Sequence, residues 1–122
     1  GQGIKIQFNG DTASNYSDTV LAGTGSIAES GRDTSAIYGR LTYDAGWQTT
    51  ANDTVITASV MNYANTSTYK TYLARANRAG SGVDAIAGLW RSTAAINSIT
   101  ILPAANQFNY PSTFTLYGIS GA

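Results

Sequence analysis

Side chains that could carry out acid–base chemistry are scarce in this chain. Its 122 residues include no histidine and no cysteine, so the usual general base at neutral pH and the commonest metal ligands are missing. The remaining carboxylates lie mostly beside Gly, Asn, Ser or Thr in predicted turns: Asp11, Asp18, Glu29, Asp33, Asp44, Asp53 and Asp84. Carboxylates in such positions usually cap turns. We therefore predict a protein that is not an enzyme and that needs no metal or cofactor, with a hydrolase that uses two facing carboxylates as an alternative.

Aromatic side chains are better candidates for binding a ligand, because Tyr and Trp stack on apolar surfaces while their polar ends form hydrogen bonds. The chain has eight Tyr, two Trp and three Phe. Trp47 lies in a predicted loop close to Tyr43. Tyr38 and Arg40 lie on the strand face opposite Leu41. We name Trp47, Tyr38 and Arg40 as the candidate ligand-binding residues.

Polarity in this chain comes from Ser, Thr, Asn and Gly more than from charge. Seven basic residues balance seven acidic ones, and charged residues make up 11% of the sequence. Without a cluster of cations, neither nucleic acid nor an anionic membrane surface is an expected partner. No apolar run approaches the roughly 20 residues that span a bilayer, so membrane insertion is not expected either.

Alternating apolar and polar residues predict β-strands along most of the chain. Residues 53–62, which are rich in β-branched side chains, are predicted to form a central strand. Residues 23–33 are polar and Gly-rich, and they predict a long loop with at most a short strand. The other predicted strands are 4–8, a run within 16–22, 37–43, 69–75, 83–90, 96–102 and 113–119. This pattern predicts a single all-β domain over residues 1–122, an antiparallel, jelly-roll-like β-sandwich of about eight strands.

The last part of the chain carries the clearest motif, GLWRSTAAINSITILPAANQFNYPSTFTLYGI at residues 88–119. Earlier segments accompany it, namely FNGDT at 8–12, NYS at 15–17 and YANTSTYKT at 63–71. Together they resemble a family of β-sandwich modules in virion structural proteins of tailed bacteriophages, which occur in tail fibres, appendages and capsid surfaces. Family members commonly have one or two strands before the segment matching 4–8. The resemblance therefore implies the C-terminal module of a longer polypeptide, without its N-terminal strands.

The function that the resemblance implies is structural. We expect a non-enzymatic component of a virion surface, assembled in the bacterial cytoplasm, with host-surface attachment as a further role. Its expected partners are copies of itself, in a homotrimer, and other virion proteins. A carbohydrate-binding module that recognises a host glycan is the alternative. We expect Trp90 and Tyr117 to pack in the scaffold, and the loops at 23–52 and 77–82 to carry any specificity.

Overall fold

The computed structural model describes residues 3–43, 54–103, 107–108 and 111–119. The two sheets are both antiparallel, with strand orders β4-β1-β8 and β3-β2-β7-β6-β5. This arrangement confirms the predicted all-β sandwich of eight strands. In chain order, the strands are β1 (Lys5–Phe8), β2 (Tyr16–Gly23), β3 (Ala28–Ala36), β4 (Gly39–Arg40), β5 (Val55–Val60), β6 (Lys70–Arg78), β7 (Gly82–Trp90) and β8 (Ile99–Leu102).

The core lies between the two sheets because successive residues of a strand point to opposite sides. Even-numbered residues of β2, β6 and β7 point inward and are mostly buried, whereas their odd-numbered neighbours are mostly exposed. Phe8 of β1 lies at the centre, with its ring centroid 6.4 Å from Tyr16, 6.2 Å from Tyr72 and 5.5 Å from Trp90. All four rings are at most 2% exposed. They therefore supply much of the apolar burial that holds the sheets together.

Tyr72 is the side chain that fixes β4 onto the five-stranded sheet. Its hydroxyl donates a hydrogen bond to the carbonyl oxygen of Arg40 at 2.8 Å. Its ring lies directly over Gly88, the residue paired with it on β7, and its hydroxyl lies against Gly39. A Cβ at either glycine would overlap Tyr72. The ring of Tyr72 therefore requires a glycine beside it on β7 and another facing it on β4.

The second quarter of the chain differs from the sequence prediction. Residues 23–33 are not a long loop, because β3 begins at Ala28 and pairs with β2 along almost its whole length. This strand is at the sheet edge and has no apolar stripe, which is the signal that the prediction used. The strand predicted at 37–43 is present only as the two residues of β4.

Two further strand predictions are wrong, one in its place within the sheet and the other in predicting a strand at all. The strand predicted at 53–62 is β5, which lies at the edge of its sheet and not at the centre. The β-branched residues behind that prediction indicate a strand, but they do not indicate that it is buried. Residues 113–119 belong to none of the strands formed by the described residues, and all seven are exposed, whereas the sequence predicts a half-buried strand. Trp90 packs in the core as expected, but Tyr117 is 82% exposed. The described part of the chain does not provide segment 113–119 with a pairing partner.

Candidate functional site

A buried ion pair joins β4 to β2. The Nε of Arg40 donates to both carboxylate oxygens of Asp18, at 3.0 and 3.1 Å. The two side chains are 9% and 1% exposed. Burial opposes the charged guanidinium, but the hydrogen bonds and charge of Asp18 outweigh it and raise the pKa of Arg40. Arg40 is therefore engaged in holding the two sheets together.

A second carboxylate, Asp11, closes the turn after β1. It accepts hydrogen bonds from Trp90 Nε1 at 2.7 Å, from Asn15 Nδ2 at 2.9 Å and from the backbone amide of Ala13 at 2.9 Å. Burial alone would raise the pKa of Asp11, but the bonds from Asn15, Trp90 and Ala13 together lower it. Asp11 is thus held as a carboxylate that positions the indole of Trp90, which is a structural task.

The third carboxylate, Asp84, is fully buried on the inner face of β7. One of its oxygens accepts a hydrogen bond from the backbone amide of Tyr43 at 2.6 Å. Within the described ranges, no three His, Cys, Asp or Glu side chains lie close enough together to hold a metal ion. Asp11, Asp18 and Asp84 therefore hold backbone and side-chain groups in place between strands and in a turn.

The motifs that carry the family resemblance hold one another in place. Asn9, from the FNGDT segment, donates from Nδ2 to the carbonyl of Ala95 at 2.8 Å and accepts the amide of Asn97 at 2.8 Å. Lys70, from the YANTSTYKT segment, is 1% exposed and donates to the carbonyl of Thr93 at 3.3 Å. Segments more than 20 residues apart are joined in this way. Asn9 and Lys70 therefore build the scaffold.

Of the three candidate ligand-binding residues, Arg40 and Tyr38 lie in the described structure, and both contact other side chains of the chain. Arg40 is buried in its ion pair with Asp18. Tyr38 is half-buried, and the Nζ of Lys5 lies 4.5 Å from its ring centroid in a cation–π contact. Trp47 lies outside the described residues. A ligand at Tyr38 would therefore have to compete with Lys5 for the ring.

The most unusual surface is the outer face of the five-stranded sheet, which consists of the residues that point away from the core. In an antiparallel sheet such a face is usually polar. In this sheet Leu21 is 64% exposed, Leu73 is 61% exposed and Val83 is 40% exposed. The strand register places Leu21 and Leu73 opposite the middle of β7, whereas Val83 lies at the start of that strand. The apolar residues of the outer face are Leu21, Ala28, Val55, Leu73, Val83, Ala85, Ala87 and Leu89.

The charges of the outer face have one sign. Arg75 is paired with Ala85 across the strands, and Arg32 is paired with Thr19. The Nε of Arg32 donates to the hydroxyl of Thr19 at 3.1 Å. Among the outward residues of the described strands there is no Asp or Glu and no aromatic side chain. The outer face therefore has a group of apolar side chains bordered by Ser and Thr hydroxyls and two arginines, with a shallow depression beside Arg32.

The sequence contains a signal for this surface that the strand prediction did not use. β7 reads GVDAIAGLW, and except for Asp84 it is apolar or glycine throughout, instead of alternating. A strand with apolar residues on both sides is typically covered on both sides. In the described structure only the inner side is covered. The run therefore indicates apolar surface on the outer side of the sheet as well as the inner side.

Comparison of the chain with protein-family models, with curated proteins and with solved structures finds no match. The described residues also contain no helix that is long and apolar enough to cross a membrane.

Proposed function

We propose that this chain is a non-enzymatic structural module that assembles with copies of itself through the outer face of its five-stranded sheet. The observation that carries the proposal is the exposure of Leu21 and Leu73 beside the apolar row of β7. Contiguous exposed apolar surface on a soluble domain commonly marks a protein interface. The resemblance of its motifs to bacteriophage modules supports the surface of a virion as the setting of this assembly.

Burial of the outer face would favour self-association. Full burial of a leucine side chain contributes roughly 1.5–3 kcal/mol. Leu21 and Leu73 are both more than 60% exposed, so together they would contribute about 2–4 kcal/mol, and Val83, Ala85 and Ala87 would add to this. Association costs roughly 4–15 kcal/mol of translational and rotational freedom, so the proposed interface must bury more surface than these two leucines. We therefore expect an oligomer whose population depends on protein concentration.

The composition of the outer face favours a protein partner over a sugar. Sugar-binding sites commonly use aromatic rings and polar groups that converge in a pocket. The described outer face has aliphatic side chains and two arginines on a nearly flat sheet. If two outer faces met directly, the arginines of both copies would come together and repel one another. A head-to-tail arrangement, as in the expected homotrimer, avoids that repulsion.

Sedimentation of the chain over a range of concentrations tests the proposal. The wild-type chain is expected to associate, and Leu73→Asp should weaken the association at least tenfold, because a carboxylate would then be buried among apolar side chains. Thr66→Asp is the matched control, since Thr66 is exposed in the loop after β5, away from the outer face. Its association should equal that of the wild type.

Leu73 is mostly exposed in the single chain, so thermal unfolding of Leu73→Asp at low concentration should match that of Thr66→Asp. A wild-type chain that sediments as a monomer up to about 1 mM would contradict the proposal, because it would limit the association free energy to roughly 4 kcal/mol. Equal association of Leu73→Asp and the wild type would contradict the assigned surface.

A further inference from the structure

The end of the described chain is an apolar segment that leaves the domain. Residues 113–119, which we call the C-terminal arm, take part in none of the described strand pairings. The ring of Phe114 contacts that of Phe108, with centroids 4.9 Å apart, and Phe108 in turn packs against the core. Beyond that contact, Leu116, Tyr117 and Ile119 are each at least 80% exposed. The arm is therefore anchored at its beginning and projects into solvent.

The arm has the residue pattern of a half-buried strand. Phe114 and Leu116 point to one side of an extended chain, and Thr113 and Thr115 point to the other. Exposing several large apolar side chains in a row is unfavourable in water. Such a segment gains most from pairing with a free sheet edge that also offers apolar surface to its inward side chains.

The same chain provides such an edge at β8. This strand is the last of the three-stranded sheet, and among the described strands only β1 pairs with it. β8 lies on the flank nearest β5, since Ile96, which precedes it, donates its amide hydrogen to the carbonyl of Tyr63, just after β5. A further strand beside β8 would therefore lie over β5.

The inner face of β5 lacks cover in the described structure. The inward residues of β5 are Ala58, Ile56 and Val60, which pair with Ala74, Ala76 and Tyr72 of β6. Those partners are buried, but on β5 itself Ala58 is exposed, and Ile56 and Val60 are only half-buried. The three-stranded sheet is too narrow to cover this fifth strand. An additional strand beside β8, carrying large apolar side chains, would complete the core at that position.

We propose that the C-terminal arm of one copy pairs with the free edge of β8 in a second copy. In that position Phe114 and Leu116 would cover Ile56 and Val60. The second copy is the occupant because one chain carries both the unpaired strand and the matching edge, while its own arm forms no described pairing with that edge. Exchange of a terminal strand between copies is a low-cost route to a symmetric assembly. This inference rests on the proposed self-assembly and names a contact separate from the outer face.

Disulfide trapping tests the exchange, because the chain has no cysteine of its own. Thr100 of β8 and Thr115 of the arm both belong to the solvent side of the proposed strand pair. Paired strands bring opposite Cα atoms within about 5.5 Å, which a disulfide can bridge. Isotope-labelled Thr100→Cys chains would be mixed with unlabelled Thr115→Cys chains, oxidised and analysed by mass spectrometry. A parallel mixture with Thr113→Cys covers the other register.

The expected result is a disulfide between labelled and unlabelled chains at several times the yield of a control mixture in which Ser35→Cys replaces Thr100→Cys. Ser35 is exposed on β3, at the other edge of the sandwich. Leu116→Asp in the arm-bearing chain should reduce the yield to that of the control.

Two results would overturn the exchange. One is an intramolecular disulfide as the main product of Thr100→Cys/Thr115→Cys at low concentration, which would place the arm on its own β8. The other is a yield equal to the Ser35→Cys control in both registers. If self-association that depends on Leu73 persists in either case, the proposed function stands and only the exchange fails. If that association is absent while the cross-link forms, the outer face is the assignment that fails.

Discussion

Replacement of Arg40 by Met would test whether this residue is structural, as the ion pair with Asp18 indicates. Methionine has a similar length without the charge, so the change would leave the Asp18 carboxylate buried, at 1% side-chain exposure, without its cation. Breaking a buried pair in this way costs about 3–5 kcal/mol. With a urea dependence of about 2 kcal/mol per M, the unfolding midpoint should fall by roughly 2 M.

The assay is urea unfolding followed by tryptophan fluorescence, since Trp90 is in the core. The double variant Asp18→Leu/Arg40→Met should lose much less stability than the sum of the two single changes, because a buried pair is often replaceable by apolar residues. Arg32→Met is the control, and it should cost less than about 0.5 kcal/mol because Arg32 is exposed. A loss below about 1 kcal/mol for Arg40→Met, or additive losses in the double variant, would refute this reasoning.

Three further predictions concern the core and the first turn. Tyr72→Phe should cost about 1–2 kcal/mol in urea unfolding, because the buried carbonyl of Arg40 would lose its donor. Gly88→Ala should cost at least about 3 kcal/mol, since the new Cβ would overlap the ring of Tyr72, whereas Gly80→Ala, with open space around it, should cost less than about 1 kcal/mol. Hydrogen bonds hold the pKa of Asp11 below its unfolded value, so its stabilisation is present above about pH 4 and is lost as the pH falls through the folded pKa. The melting temperature of Asp11→Asn should therefore fall less between about pH 4 and pH 2 than that of the wild type, and an equal fall would contradict this assignment.

Strands whose residues alternate can be predicted from the sequence, because one face must be buried and the other is solvated. Ile6 and Phe8 identify the inner face of β1 in this way, and both are buried. The edge strand β3 cannot be found by the same rule, because its side chains are largely exposed and carry no apolar stripe. The position of β5 at an edge also depends on pairing with a distant strand, which local pattern does not specify.

Site residues are harder to predict, because their roles depend on contacts between distant segments. Arg40 has the sequence context of an exposed binding residue, and only the approach of Asp18, 22 positions away, makes it a buried structural cation. Trp47, the first candidate, lies outside the described residues, so its role stays a prediction. The outer face is different, since the nearly continuous apolar run of β7 indicates it locally. A prediction that counts apolar residues on both sides of a strand would have found it.

The central claim is that the outer face becomes buried when the chain assembles, and the reactivity of a single cysteine tests it most directly. Ala85 is exposed in the middle of that face, between Leu21 and Arg75 in the register, and Ala85→Cys would be the only thiol in the chain. Its rate of labelling by a thiol reagent should fall several-fold as protein concentration rises through the association range, while Thr66→Cys, in the exposed loop after β5, should react at one rate throughout. Equal rates for Ala85→Cys in the monomer and in the sedimenting oligomer would contradict the claim.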